Sequence, residues 1–232
     1  MTWFRTLFVP IGTLLSLAAA SFGAPPADTP LDAVLARLDQ VSTTFKGLTA
    51  DIRKIAHTDV VNADDIDSGT ITVKRVKARD TWIRIDFTNP RRQSVSIGGG
   101  KALVFYPQIN EATEVDLGKN RGLVDQFMLL GFGSNSADLR NAYTVTLGGA
   151  DSINGEKTTR IVLVPKDPEV LAHVKKCELW ISEKGWTVQQ KFHTGGGDYQ
   201  LSTYTRMNPN PIIADKDLKV ELPKGVKPGK LK

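Results

Sequence analysis

Between Ser68 and Pro90 the chain reads SGTITVKRVKARDTWIRIDFTNP, and apolar and polar residues alternate along it. Period-two alternation is the mark of a strand with one buried face. Ile71 and Val73 lie on that face, and the same parity then places Arg75 on it. A guanidinium carries five donors and no acceptor, so on a core face it needs carbonyls or carboxylates within reach.

The same pattern recurs from Leu48 onward and predicts strands at Leu48–His57, 69–76, Thr81–Phe87, Gln93–Ile97, Lys101–Pro107 and Ala112–Leu117. Gly98-Gly99-Gly100 and PQINE (107–111) punctuate the later ones as turns. Further strands are expected at Tyr143–Leu147, Thr159–Val164, Lys175–Ser182, Trp186–His193 and Tyr199–Arg206, with a short tail strand at Asp217–Leu222. EKG (183–185) and GGGD (195–198) fit tight hairpin turns. Asn62–Gly69 reads as a solvated loop. Ten or eleven short antiparallel strands in sequence order imply a strongly curved meander sheet.

Two regions break the alternation. Ahead of the strands, Leu31, Val34, Leu35, Leu38, Val41 and Phe45 recur at spacings of three and four, which predicts an amphipathic helix. Thr29 suits its cap, Pro30 its first turn, Asp32 its positive end, and Gly47 its stop. In the middle of the meander, Leu123, Val124, Phe127, Met128, Leu129 and Leu130 form a helix-length apolar cluster ended by Gly131 and Gly133. Short helical turns are expected from Ser136 and from Pro168, the latter capped by Asp167. Helices of this kind must lay their apolar sides on the bent sheet. An incompletely filled space between the layers would be a lipophilic pocket.

Composition adds little to the fold but narrows the setting. The 232 residues have 41% apolar and 24% charged content, ordinary values for one globular domain. Residues 1–23 combine Arg5, a short apolar run and small residues at Ser21 and Gly23, and read as a secretory signal cleaved after Gly23. Residues 24–30 are a linker, and 31–232 a single domain with no internal repeat. The net charge of +5 is spread among nearby acids, which gives no nucleic-acid signature. With one cysteine, Cys177, no internal disulfide can form. The expected product is a soluble exported protein, monomeric by default.

Chemistry-bearing motifs are incomplete. GGGKA (98–102) lacks the leading glycine and the Ser/Thr of a phosphate loop. Asp65 and Asp67 lack the terminal glutamate of a calcium loop, since Val76 stands there. His57, His173 and His193 have no metal or triad spacing, and no serine stands in a nucleophile elbow. Trp180 and Trp186 flank a hairpin, where cross-strand packing accounts for them. These residues predict neither an enzyme nor a cofactor or metal.

LARLDQVSTTFKGLTADI (35–52), GTITVKR (69–75), WIRIDFTNP (82–90), SIGGGKALVFYPQINEATEVDL (96–117) and the tail VELPKGVK (220–227) together resemble the periplasmic outer-membrane lipoprotein carrier family, LolA. The resemblance is best over Leu31–Leu117. It implies a mainly β fold with helices, an unclosed antiparallel barrel under a helical lid, and a carrier that shields acyl chains of lipoproteins or related lipids. It also implies two partners: an inner-membrane lipoprotein-releasing ABC transporter and an outer-membrane receptor. The arginine after VK in the second strand latches the lid in that family, which makes Arg75 the expected latch. Expected cavity-lining residues are Ile71, Val73, Ile83, Ile85, Leu103, Phe105, Leu123, Phe127 and Leu130, with Leu31, Leu35 and Leu38 under the lid helix. The alternative from another class is a periplasmic lipid-sensing or protein-interaction module on the same curved sheet. An exported hydrolase is disfavoured because no site assembles.

Overall fold

A computed structural model describes residues 29–77, 80–118 and 130–231. Helix α1 (Pro30–Thr44) begins where the cap signals put it. The Thr29 hydroxyl accepts from the Asp32 amide, and the Asp32 carboxylate accepts from the Thr29 amide and hydroxyl. This reciprocal cap satisfies donors that a helix start leaves open.

The strands are β1 (Gly47–Thr58), β2 (Ala63–Lys77), β3 (Asp80–Asn89), β4 (Gln93–Gly98), β5 (Lys101–Tyr106) and β6 (Glu111–Asp116). Helix α2 (Ser136–Ala142) then leads into β7 (Tyr143–Ile153) and β8 (Glu156–Pro165), and helix α3 (Pro168–His173) into β9 (Lys176–Ser182). β10 (Thr187–Gly195), β11 (Asp198–Pro209) and the short β12 (Gly229–Leu231) complete the described elements. They form one sheet in the order β12-β6-β5-β4-β3-β2-β1-β11-β10-β9-β8-β7. The pairings are antiparallel except β12 with β6. The fold is mainly β with helices, and its sheet is not closed into a barrel: β12 and β7 end the order unpaired to each other.

Three expectations are corrected. Residues 62–69 are not a loop; β2 begins at Ala63, and only the 3-10 turn Asp59–Val61 with Asn62 reverses the chain. The tail segment Asp217–Leu222 is no strand. It starts in a 3-10 turn and crosses the sheet so that Val220 and Leu222 pack beside Phe105, and the tail strand comes later, at Gly229–Leu231. β7 and β8 are longer than expected and meet at Asn154-Gly155, both at positive φ, a hairpin signal that fits a primed turn.

Register settles which residues share a face. One continuous row crosses the sheet through Ile161, Leu179, Gln190, Ser202, Lys54 and Asp67. Val104, Val95, Ile85, Ile71 and Ala50 form another row on the same face. α1 lies on this face over β8 and β9, where Val34, Leu35 and Leu38 pack with Leu130, Ile161, Leu163, Cys177, Leu179 and Ile181. That half of the interior is solid. Burial there pushes the Cys177 thiol up to about 12, so it is an inert packing group. Among the described residues no helix is long and apolar enough to cross a membrane.

The cap of α1 carries a pH dependence. Hydrogen bonds from the Thr29 hydroxyl and amide, and then the Arg140 guanidinium 2.7 Å away, hold the Asp32 carboxyl below its ordinary value. A carboxyl depressed in the fold contributes stability above its unfolded pKa, about 3.9, and loses it as pH falls through the lower folded value. Amide exchange at the start of α1, taken relative to the intrinsic rate at each pH, is therefore expected to be flat from pH 7 to 5 and to rise below about pH 4. In Asp32→Asn that acid-triggered rise should be absent, and an unchanged rise in the variant would assign it to another group.

Candidate functional site

Val95 on β4 and Gln190 on β10 are five ladder spacings apart, about 24 Å along a flat sheet. Both nonetheless line one cavity of about 370 Å³, so the sheet curls around it. Ile52, Ile71, Ile85, Phe87 and Val95 form one wall, Gln190, Phe192 and Tyr204 the other, and Phe132 and Val174 close it from above. Ligand pockets typically occupy about 300–1,000 Å³ with mostly apolar walls.

The roof over the deep end is the segment 130–135, backed by α1 and α2, which lie beside it over the solid half. Leu130 turns into the solid core under α1, while Phe132 turns into the hollow half and meets Tyr204 edge-on, with ring centroids 4.9 Å apart. Two glycines at positive φ, Gly131 and Gly133, let the segment alternate this way. Their carbonyls are the tethers: Gly131 O accepts from Thr187 Oγ1 at 2.9 Å, and Gly133 O accepts from Arg75 Nη2 at 2.8 Å. α2 is bound to α1 through Asp39, whose carboxylate accepts from the Ser136 amide and hydroxyl at 2.6 Å each.

Arg75 thus stands at the junction of roof and sheet. Its Nη1 also donates to Ser42 O, in the last turn of α1, at 3.2 Å, and its guanidinium lies 5.2 Å from the Phe45 ring centroid. α1 has no basic residue of its own in that turn. Arg75 therefore supplies the cation that the negative helix end favours, and occupies one of its open carbonyls.

The other expected residues divide. Ile71 and Ile85 line the cavity. Val73 and Ile83 are on the same face but fully packed beneath Phe45 and Phe132, in the floor of the closed end. Leu35 and Leu38 are buried under α1, and Leu31 packs at their margin, over the solid half rather than the hollow one. Leu130 likewise belongs to that solid core and does not line the cavity. Leu103 and Phe105 are corrected outright. They pair across β4 with Ser96 and Ser94, which puts them on the opposite face, and Phe105 packs with Ala112 and Val220. β5 is covered on both sides, so its alternation carries no unique inward parity. Leu123 and Phe127 lie outside the described residues.

Several lining residues were missed. Ile52, Phe87 and Val95 follow from the parity of Ile71 once the register is known; Phe132, between two glycines, carries no periodic signal at all.

Polarity rises along the hollow. The inward face of β2 reads Asp65, Asp67, Gly69, Ile71, Val73, Arg75, apolar in the middle and charged at both ends. From Ile71 to Asp65 is six residues of strand, about 20 Å. Toward the Asp65 end the cavity acquires Lys54, Gln93, Gln200 and Ser202. It then adjoins a second hollow of about 580 Å³, to which Lys54 and Gln93 also contribute, with Asp65, Asp67, Arg91, Arg92, Tyr106 and Gln108. Lys54 Nζ pairs with Asp67 at 3.2 Å and stands 5.0 Å over the Phe87 ring, at the boundary of the two spaces.

The acid–base pairs elsewhere are structural in geometry. His57 binds Asp64 at 2.7 Å and stacks on Tyr199. His193 binds Glu178 at 2.7 Å. Burial alone would raise the Glu178 carboxyl, but the His193 hydrogen bond with the Lys176 and Arg160 charges brings it below its ordinary value. Among the described residues no three His, Cys, Asp or Glu side chains converge on a metal-sized site.

No family model matches the chain, and no curated protein does. Solved structures do. An uncharacterized conserved protein from Thermus thermophilus matches 85% of this chain and 97% of its own, with a TM-score of 0.52 at 11% identity, and shows the fold to be shared. MucB matches with a TM-score of 0.49 at 16% identity, over 81% of this chain. The chain spans 62% of the MucB chain, under two thirds of its length. A LolA superfamily protein from Nitrosomonas europaea matches at a TM-score of 0.38 and 14% identity, over 82% of this chain and 97% of that one.

Proposed function

We propose that this chain is an exported, periplasmic carrier that shelters the acyl chains of lipoproteins or related lipids in the cavity between its curled sheet and its roof. The observation that carries this reading is the apolar hollow walled by Ile52, Ile71, Ile85, Phe87, Val95 and Phe132, left open in a domain whose other half is solidly packed. Sequestration of an acyl chain is favourable by about 0.8 kcal/mol per buried CH₂ and requires neither cofactor nor covalent step.

Arg75 is the latch in this reading. Its two charge-assisted hydrogen bonds, to the last turn of α1 and to Gly133, are each worth about 1.5–3 kcal/mol. A few buried methylenes offset that, so a chain entering under Phe132 can displace the roof, and the latch helps expel it again. Delivery by an inner-membrane ABC transporter and collection by an outer-membrane receptor would complete the cycle. The LolA-like run of motifs supports that assignment.

The test is mass spectrometry of the mature protein purified from its native host without detergent. Acylated material should accompany it in near-stoichiometric amount, and Ile85→Trp, which fills the wall, should remove it. Material-free protein from the native host, together with failure to take up lipid from vesicles, would refute the carrier.

A further inference from the structure

We propose that the amphiphile carried here has an anionic head group, seated in the mouth hollow and held by Arg92 together with Arg91 and Lys54. This rests on the carrier reading and names the class of its cargo. Of the two charged ends of the β2 face only one opens into the hollow: Arg75 is tied to Ser42 O and Gly133 O and does not line the cavity. The deep end, around Ile71, Ile85, Val95 and Phe132, presents no charge, whereas the mouth gathers Lys54, Arg91 and Arg92. An acyl chain lying along the hollow leaves its polar end in the mouth and nowhere else.

The sign of that polar end follows from the pairing there. Asp67 is nearly buried and already occupied by Lys54 at 3.2 Å. Asp65 faces Arg91 at 3.7 Å with both side chains largely exposed, a pair that water screens and that a competing anion can open. Arg92 has no carboxylate partner among the described residues. Its backbone is nonetheless fixed. With the amide turned so that nitrogen faces carbonyl, the Gln108 side chain donates to Arg92 O at 2.7 Å and accepts from Arg92 N at 2.5 Å. Three cations against two acids leave the mouth hollow positive. Guanidinium forks match phosphate and carboxylate oxygens in pairs. Gln93, which donates to Tyr106 OH at 3.1 Å, and Gln108 add amide groups around the same space.

The test compares two single-chain amphiphiles of equal acyl length below their micelle concentrations, lysophosphatidylglycerol and monoacylglycerol, and inorganic phosphate alone. The protein is the mature chain, wild type and R91A/R92A. Lysophosphatidylglycerol should bind at least tenfold more tightly than monoacylglycerol, and its advantage should shrink with added salt. R91A/R92A should erase the preference while leaving monoacylglycerol affinity unchanged, since both side chains are exposed and outside the deep wall. Equal affinity for the two amphiphiles, or a preference that survives in R91A/R92A, overturns the proposal while the carrier stands. Phosphate alone binding as tightly as lysophosphatidylglycerol makes the mouth a free-anion site and overturns it too. Binding of neither amphiphile defeats the carrier reading itself.

Discussion

Arg75→Leu should bind an acyl probe roughly 10- to 100-fold more tightly than the wild-type protein and release it to acceptor vesicles more slowly. The reason lies in what the arginine stabilises. In the closed state it joins three parts of the molecule: β2, the last turn of α1 through Ser42 O, and the segment 130–135 through Gly133 O. Each charge-assisted bond contributes about 1.5–3 kcal/mol. Leucine replaces neither, and leaves the carbonyl of Gly133 to find water by moving outward. The closed state loses stability, the open one does not, and the fraction competent to bind rises. Apparent affinity rises with that fraction, tenfold for about every 1.4 kcal/mol. The same substitution removes the restoring force that expels the chain, which slows hand-over. Arg75→Lys keeps the charge but lacks the fork, and should fall between. Gly133→Ala should mimic Arg75→Leu by another route: its Cβ would collide with Arg75 Nη2 and lie 2.6 Å from the Phe45 ring, at a φ of +73° that only glycine adopts freely. Unchanged probe affinity in Arg75→Leu, with unchanged amide exchange over 130–135, would show that the arginine only props the strand end.

How much of this could be read from the chain depends on the range of the contacts involved. α1 was legible because its determinants are local: Thr29, Pro30, Asp32 and a stripe of one periodicity. Arg75 was legible because β2 alternates cleanly there, with Thr70, Thr72 and Lys74 set against Ile71 and Val73, so that parity alone gives direction. β5 shows where parity fails. Leu103 and Phe105 are its bulkiest apolar residues, yet they face away from the cavity because the C-terminal tail, more than a hundred residues downstream, buries them from the other side. No local pattern reports such a cover. The mouth was illegible for a related reason. Lys54 and Asp67 sit within β1 and β2, and Arg91 and Arg92 in the turn between β3 and β4, and only the register of these strands and the curl of the sheet bring them to one hollow. Asn62–Gly69 read as a solvated loop because charged residues in succession are rare in buried strands, and here the face that Asp65 and Asp67 occupy is the polar end of a cavity.

The division of the interior into a solid half and a hollow half makes the second large prediction. Leu38→Ala and Ile85→Ala remove side chains of similar bulk from the same side of the sheet. Leu38 is buried among Leu130, Ile161 and Leu179 in the packed half, so truncation loses transfer energy and leaves a void, together about 2–5 kcal/mol. Ile85 borders space that is already empty, so its loss only widens the cavity and should cost about 1 kcal/mol or less, transfer of the exposed methyls being the main term. In a domain of this size each kcal/mol moves the melting temperature by about 2–4 °C. Leu38→Ala should therefore melt roughly 5–20 °C lower in the lipid-free state, and Ile85→Ala within about 4 °C of wild type. With an acyl ligand bound the order of sensitivity changes: wild type gains stability by mass action, and Ile85→Ala gains less, because the ligand loses a wall. Equal lipid-free destabilisation by the two substitutions would mean that the side chains around Ile85 close on themselves in solution. No room would then remain beneath Phe132 for a chain to enter.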